Sequence, residues 1–301
     1  VGGLMIWLIG CKGMLGTEVA RLLDSKKINY CGTGREIDIT NLSAVSNYAQ
    51  GKQIDWIINC AAYTAVDNAE KDVLSAQELN AKAPQILAEV AKNIKAKLIH
   101  ISTDYVFDGS ANKPIREEKS VCPCGVYGKT KAMGEKNIAE TVDEYYILRT
   151  AWLYGWNGKN FVYTIIKAMN NNPSIKVVND QFGTPTSAID LANVILEIVK
   201  KDDCKKVPYG IYNCTDLGET SWYEFALEIK KQAESIGILK NKDCLVNPCS
   251  TKDYPTPAKR PSYSVLDKTK IQSALGIKLP DWKDSLFQFL KSPLFDFNRL
   301  N

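Results

Sequence analysis

The chain has 301 residues, of which 45% are hydrophobic and 24% charged, with a formal net charge of +4 at pH 7. That length is long for one ordinary domain and the apolar share can build a sizeable core; the mild charge, spread along the chain, suits an anionic small ligand and gives no support for nucleic-acid binding. No apolar run approaches the roughly 18 residues of a membrane span and no charged-then-apolar secretory start is present, so no membrane association and a cytoplasmic location are expected, with Met5 read as the natural start.

Residues 4–9 form an apolar run that reads as a strand, and residues 17–23 read as a helix. Between them lies Gly10-Cys11-Lys12-Gly13-Met14-Leu15-Gly16. Small residues at Gly10 and Gly13 let a backbone turn tightly against a pyrophosphate, Gly16 lets the helix pack close to the strand, and the helix N-terminus favours anions. The spacing is G-x-x-G-x-x-G rather than the familiar G-x-G-x-x-G. A second strand over residues 28–33 ends at Gly34-Arg35-Glu36, where an acidic residue would hold the ribose hydroxyl of NAD. Arg35 would instead pair with the 2′-phosphate of NADP, and Glu36 argues the other way if it points inward. Asp38-Ile39 would place a carboxylate near the adenine amino group.

A third strand, residues 56–60, runs into Ala61-Ala62-Tyr63, so that Cys60, Ala61, Ala62 and Tyr63 would line the cofactor. Residues 76–94 carry apolar side chains at helical period. A fourth strand, residues 96–101, leads into Ser102-Thr103-Asp104-Tyr105. Strands alternating with amphipathic helices predict a doubly wound parallel sheet with right-handed crossovers, an α/β, Rossmann-like arrangement with ligands at the C-terminal strand ends.

Tyr127-Gly128-Lys129-Thr130-Lys131 opens the next helical segment. Residues four apart share a helix face, so the Lys131 ammonium would sit beneath the Tyr127 phenol and draw its pKa down toward the working range. With Thr103 on the same oxygen, this set can reduce a carbonyl: Thr103, Tyr127 and Lys131 are the candidate catalytic residues. Tyr48 to Lys52 and Tyr163 to Lys167 repeat the spacing. Neither follows a strand ending in hydroxyl residues, and both are read as coincidences of helix surfaces.

Beyond residue 150, helical patterns over 161–169, 191–199 and 222–233 interrupt short apolar runs, with no long hinge and no internal repeat. A dinucleotide-binding domain over residues 4–150 and a smaller C-terminal, mainly substrate-binding lobe over 151–301 are expected, with some later segments rejoining the first sheet. Nine cysteines without C-x-x-C spacing read as reduced thiols. Cys122-Pro123-Cys124 is the only close pair, and the bland reading is preferred to a redox one. His100, the single histidine, reads as a packed imidazole within a strand, and with one histidine a Ser-His-Asp hydrolase is excluded.

Together these segments resemble the extended short-chain dehydrogenase/reductases, and within them the dTDP-4-dehydrorhamnose reductase family. The resemblance spans nearly the whole chain, through Gly10 to Gly16, Cys60 to Asp67, Ser102 to Phe107, Tyr127 to Lys131, Arg149-Thr150-Ala151-Trp152, Asp180 to Thr186 and Pro255 to Pro261. It implies NADPH- or NADH-dependent reduction, with NADPH slightly favoured, of the 4-keto group of a dTDP-linked 6-deoxyhexulose to give dTDP-L-rhamnose, a precursor of cell-surface polysaccharide. It also implies that Asp104 and Trp152 touch the substrate beside Thr103 and Tyr127, and that Lys131 also holds the nicotinamide ribose. The Arg260 fork would pair with the substrate pyrophosphate.

Dehydratases of this superfamily carry Thr-Asp-Glu where this chain has Tyr105, which removes elimination from the readings. Another nucleotide-sugar reductase or an epimerase remains open, as does a non-catalytic NADP-binding regulatory subunit. Some members are magnesium-linked dimers through C-terminal glutamates. The matching stretch here, Leu286-Phe287-Gln288-Phe289-Leu290, offers no carboxylate, so a metal-free monomer is expected, with a dimer as the alternative.

Overall fold

A computed structural model describes residues 3–202 and 207–300. The first half alternates strand and helix: β1 (Met5–Ile9), α1 (Met14–Ser25), β2 (Asn29–Thr33), α2 (Leu42–Ala49) and β3 (Trp56–Asn59), then the short α3 (Val66–Ala69) and α4 (Val73–Gln77). A π-helical turn over Glu78–Lys82 leads into α5 (Ala83–Ile94), followed by β4 (Lys97–Thr103), α6 (Val126–Thr141) and β5 (Tyr145–Thr150). The second half runs β6 (Leu153–Tyr154), α7 (Phe161–Asn171), β7 (Ser174–Val178), β8 (Phe182–Gly183), β9 (Thr186–Ser187), α8 (Ala188–Asp202) and β10 (Gly210–Asn213). It continues with β11 (Thr220–Ser221), α9 (Trp222–Ser235), β12 (Leu245–Cys249), α10 (Thr269–Leu275) and α11 (Trp282–Lys291).

Six strands form one sheet in the order β10-β5-β4-β3-β1-β2, every pairing parallel. Such a sheet is buried on both faces, and its strands accordingly lack polar alternation: Ile6, Trp7, Leu8, Trp56, Ile57 and Ile58 are all fully buried. One face packs Ile6, Leu8, Ile58 and Tyr146 against α1, α8 and α10, and the other packs Trp7, Ile57, Leu98 and Ile147 against α2 and α5. This is the predicted doubly wound α/β sheet. The order reverses between β1 and β3, which opens a crevice at their C-terminal ends.

The turn after β1 closes that crevice tightly. Gly10 adopts φ +75°, and a Cβ there would lie 2.9 Å from the amide nitrogen of Ala61, so the third strand's end presses directly on the turn. A second aromatic core, built on Tyr154, Phe225, Trp282 and Phe289, unites α7, α9 and α11 into the smaller lobe. The chain leaves the sheet after β5 but returns, since β10 pairs with β5 and α8 and α10 cover the first face.

The segment predicted as one helix over 76–94 is broken by the π turn. Pro84, at the start of α5, has no N–H to continue the ladder, and the widened turn re-aims Asn80. Among the described residues, no helix is long and apolar enough to cross a membrane.

A buried ion pair fixes α6 against the sheet. Glu135 receives Arg149 Nε at 2.9 Å and Nη2 at 2.7 Å, plus the Ser102 hydroxyl at 2.5 Å, with both charged side chains at most 5% exposed. Glu135→Gln leaves the Arg149 charge uncompensated, and we expect a loss of about 3–5 kcal/mol in the stability read from urea unfolding.

Candidate active site

The site lies where β4 ends and α6 begins. Thr103 closes β4 and is paired in register with Thr150 of β5, which places Trp152 two residues beyond the neighbouring strand end. The Thr103 hydroxyl donates to Asp104 Oδ1 at 3.0 Å and accepts the Tyr105 amide at 3.2 Å, holding the turn that follows. Helix α6 starts at Val126 without a capping side chain of its own. Glu70 supplies the cap from far along the chain, its Oε1 accepting the Val126 N–H at 2.9 Å. Gly128 then allows contact with the β4 turn: a Cβ there would lie 2.1 Å from the Tyr105 carbonyl. Tyr127 is thereby set edge-on to Tyr105, ring centroids 5.5 Å apart.

The electrostatics differ from the sequence expectation. Burial pushes the Tyr127 phenol above its ordinary value of 10, partly offset by a hydrogen bond with Thr103 and reinforced by the nearby Asp104. No lowering by Lys131 opposes this, because Lys131 turns toward β4. Its Nζ lies 2.6 Å from the Ile101 carbonyl and 3.1 Å from His100 Nε2, and burial lowers its pKa to about 8. A phenol that keeps its proton remains a competent donor to an alkoxide, which is far more basic.

Asp104 is 2% exposed and its Oδ2 has no hydrogen bond of ordinary geometry; burial raises its pKa to about 6, tempered by the Ser264 and Thr103 hydroxyls. Trp152 adopts φ +47°, a strained value for a bulky residue, and stacks on Trp222 at 3.5 Å between ring centroids. Arg260 donates to the Tyr105 hydroxyl at 3.1 Å and to Asp67 Oδ2 at 2.8 Å, while Asp67 Oδ1 accepts the Ala258 N–H. Asp67 and the Tyr105 hydroxyl thus hold the 258–260 loop between α3 and the β4 turn.

Of the residues expected to hold the cofactor, most follow the strand ends along the crevice, but Leu15 and Ile39 do not: their apolar side chains are packed into the cores on the two faces of the sheet. Gly10 and Gly13 form the turn; Cys11 is half-buried, Met14 packs beneath Gly155, and Leu15 and Ile39 are buried in the core. Lys12 is exposed and faces Glu36 at 3.9 Å. Glu36 accepts the Gly34 N–H at 2.6 Å, so it curls toward the turn, and both it and Arg35 are exposed. Asp38 accepts both the amide and the hydroxyl of Thr40. Cys60, Ala61, Ala62 and Tyr63 follow β3, and Asn80 braces them by accepting Tyr63 N–H at 2.9 Å and donating to its carbonyl at 3.1 Å.

Sequence reasoning missed Asn80, Glu70, Asp67 and Trp222. Asn80, an amide four residues before a proline in a helical run, left a local signal; the others act through distant pairings. The cradle fits a pyrophosphate: a turn that admits no Cβ at Gly10 leads into twelve-residue α1, whose N-cap Gly13 brings no side chain of its own to the free N–H groups.

Sheet order, glycine turn, and a Tyr and Lys on the helix beside the fourth strand define a member of the extended short-chain dehydrogenase/reductases. The family described as "RmlD substrate binding domain" matches residues 4–294. A dTDP-4-dehydrorhamnose reductase of Aggregatibacter actinomycetemcomitans is 42% identical over 93% of this chain and 96% of its own length. The crystal structure of a dTDP-4-dehydrorhamnose reductase from Clostridium acetobutylicum superposes with a TM-score of 0.89 at 41% identity, covering 95% of this chain and 98% of that one. A Bacillus anthracis dTDP-4-dehydrorhamnose reductase in complex with NADP gives 0.88 at 34% identity, covering 96% and 99%. The chain belongs to the dTDP-4-dehydrorhamnose reductase family.

Burial of Asp104 has a thermodynamic sign. The folded state binds this proton more tightly than the unfolded chain, so stability falls as pH rises from the ordinary value of 3.8 through about 6 and stays reduced above it. Asp104→Asn should remove that loss, with a gain on the order of 3 kcal/mol at pH 7.5 and little change at pH 4, read from urea midpoints.

Proposed function

We propose that this protein reduces the 4-keto group of dTDP-4-dehydro-L-rhamnose with NADPH or NADH, giving dTDP-L-rhamnose. The observation that carries this reading is the junction of β4 and α6, where the Thr103 hydroxyl and the Tyr127 phenol adjoin at the C-terminal edge of the sheet. Membership of the family and its NADP-bound relative support the same reading.

When bound in the crevice, the nicotinamide supplies a hydride to the sugar C4. Thr103 then donates a hydrogen bond to the developing oxyanion, and Tyr127 delivers the proton that completes the alcohol. Lys131, one helical turn below Tyr127, would hold the nicotinamide ribose and restore charge near the phenol. Asp104 and Trp152 would border the sugar, with Trp222 supporting Trp152 from behind. Arg260 would exchange the Asp67 carboxylate for the substrate pyrophosphate, its planar donor fork suiting the oxygens of either anion. We assign the protein to the cytoplasm as a metal-free monomer; a dimer that dissociates in EDTA on sizing chromatography would overturn the second part.

Oxidation of NADPH or NADH at 340 nm with enzymatically made dTDP-4-dehydro-L-rhamnose tests the reaction. Tyr127→Phe should lower kcat by about 100-fold or more while NADPH binding persists. No turnover by the wild type despite tight cofactor binding would point to another sugar or to a regulatory subunit. The position of Glu36 also sets an expectation for cofactor choice. Glu36→Gln should shift the ratio of kcat/KM values toward NADPH by roughly tenfold, because a carboxylate beside the ribose repels a 2′-phosphate. An unchanged ratio would place Glu36 outside the ribose site.

A further inference from the structure

His100 is not merely packed: it is the middle of a buried chain of hydrogen bonds that joins the loop after β3 to Lys131. Asn59, His100 and Lys131 are each about 1% exposed. Asn59 and His100 are register partners on adjacent strands. The Ala61 N–H donates to Asn59 Oδ1 at 3.0 Å, Asn59 Nδ2 lies 3.0 Å from His100 Nδ1, and His100 Nε2 lies 3.1 Å from Lys131 Nζ. Lys131 Nζ donates onward to the Ile101 carbonyl at 2.6 Å.

Donor and acceptor arithmetic fixes the protons. A backbone N–H only donates, so the Asn59 oxygen must face Ala61 and its amide nitrogen must face the imidazole. His100 Nδ1 is therefore bare. Burial keeps this imidazole neutral, the Lys131 charge acting in the same direction, so its one proton sits on Nε2. That N–H needs an acceptor, and only an uncharged Lys131 amine offers a lone pair. A charged Lys131 can only donate; it requires a bare Nε2, a proton on Nδ1, and an Asn59 turned to accept it. The turned amide would then set its NH2 against the Ala61 N–H, breaking that bond.

We propose that His100 is a positioning residue whose tautomer is locked to the charge of Lys131, and that Asn59 passes this state to the Ala61 amide in the cofactor crevice. An acceptor that relieves Ala61 would thus favour the charged lysine, so occupancy of the crevice and readiness of Lys131 become one equilibrium. The other titratable groups near Lys131 are Tyr127 one turn before it on α6 and Glu135 one turn after it, the latter held by Arg149 of β5. Glu135 keeps Arg149 and Ser102 in either state of the chain of bonds.

The importance of Lys131 to turnover rests on the proposed reductase reading, but the lock itself does not, and it is testable without cofactor or substrate. Because the chain has one histidine, 15N-histidine labelling gives a single imidazole to follow by long-range 1H–15N NMR from pH 6 to 10. We expect Nε2–H at the alkaline end, movement of the proton to Nδ1 as pH falls through the Lys131 titration, and no movement in Lys131→Met. One tautomer at every pH, an imidazolium in this range, or a movement that survives in Lys131→Met would overturn the proposal. Asn59→Asp provides a second arm should Lys131→Met fail to fold. A carboxylate accepts from both Ala61 and Nδ1, so Nδ1–H is expected throughout, and persistence of Nε2–H would refute the lock.

Discussion

The Glu135–Arg149 ion pair is the constraint on which the site's geometry depends. It is bidentate, almost wholly buried, and receives Ser102 as a third donor, so a single carboxylate ties α6 to both β4 and β5. A buried pair of this kind is weak evidence of added stability, because desolvation offsets attraction. Its value lies in register. Sliding α6 by one residue would break three hydrogen bonds at once, and Tyr127 and Lys131 would rotate away from the end of β4. Ser102 is one residue before Thr103, and Glu135 is one turn after Lys131, so the two ends of the proposed catalytic set are fixed by the same contact.

Close backbone approach completes what the ion pair begins. Gly128 brings α6 against the Tyr105 carbonyl, and Glu70 satisfies the helix start from another segment. On the opposite side of the crevice, Gly10 abuts Ala61 and Asn80 braces Tyr63. The crevice is therefore walled by backbone on one side and by a fixed helix on the other. Little of this rigidity comes from the exposed ion pairs, whose net contributions are small.

How much of this was legible in the sequence depended on range. Period and punctuation are local, so β1 with its glycine turn, the strand leading into Thr103 and the helix bearing Tyr127 and Lys131 were all readable, and the boundaries differ by one or two residues. The break at Glu78–Lys82 was not read, because helical periodicity hid what the proline does to the ladder. The direction of Lys131 was also beyond reach. A spacing of four residues places it on the Tyr127 face, but the carbonyl of Ile101 and the ring of His100, about 30 positions away, decide where its amine rests. Asp67 and Arg260 are farther apart still, 193 positions. Such pairings follow from the packed layers and have no signature in local pattern.

The return of β10 to the edge of the sheet has a consequence for modularity. Residues after Thr150 build the smaller aromatic lobe, yet α8, β10 and α10 belong to the layers of the sheet, and Tyr212 and Ile195 share one core with Ile6. The lobe is therefore assembled from several stretches of chain separated by returns to the first core. It has no single pair of ends at which it could be excised, exchanged for a relative's lobe, or swung as a unit on one hinge. A change in what this lobe presents to the crevice has to come through individual side chains, not through the transfer of a cassette.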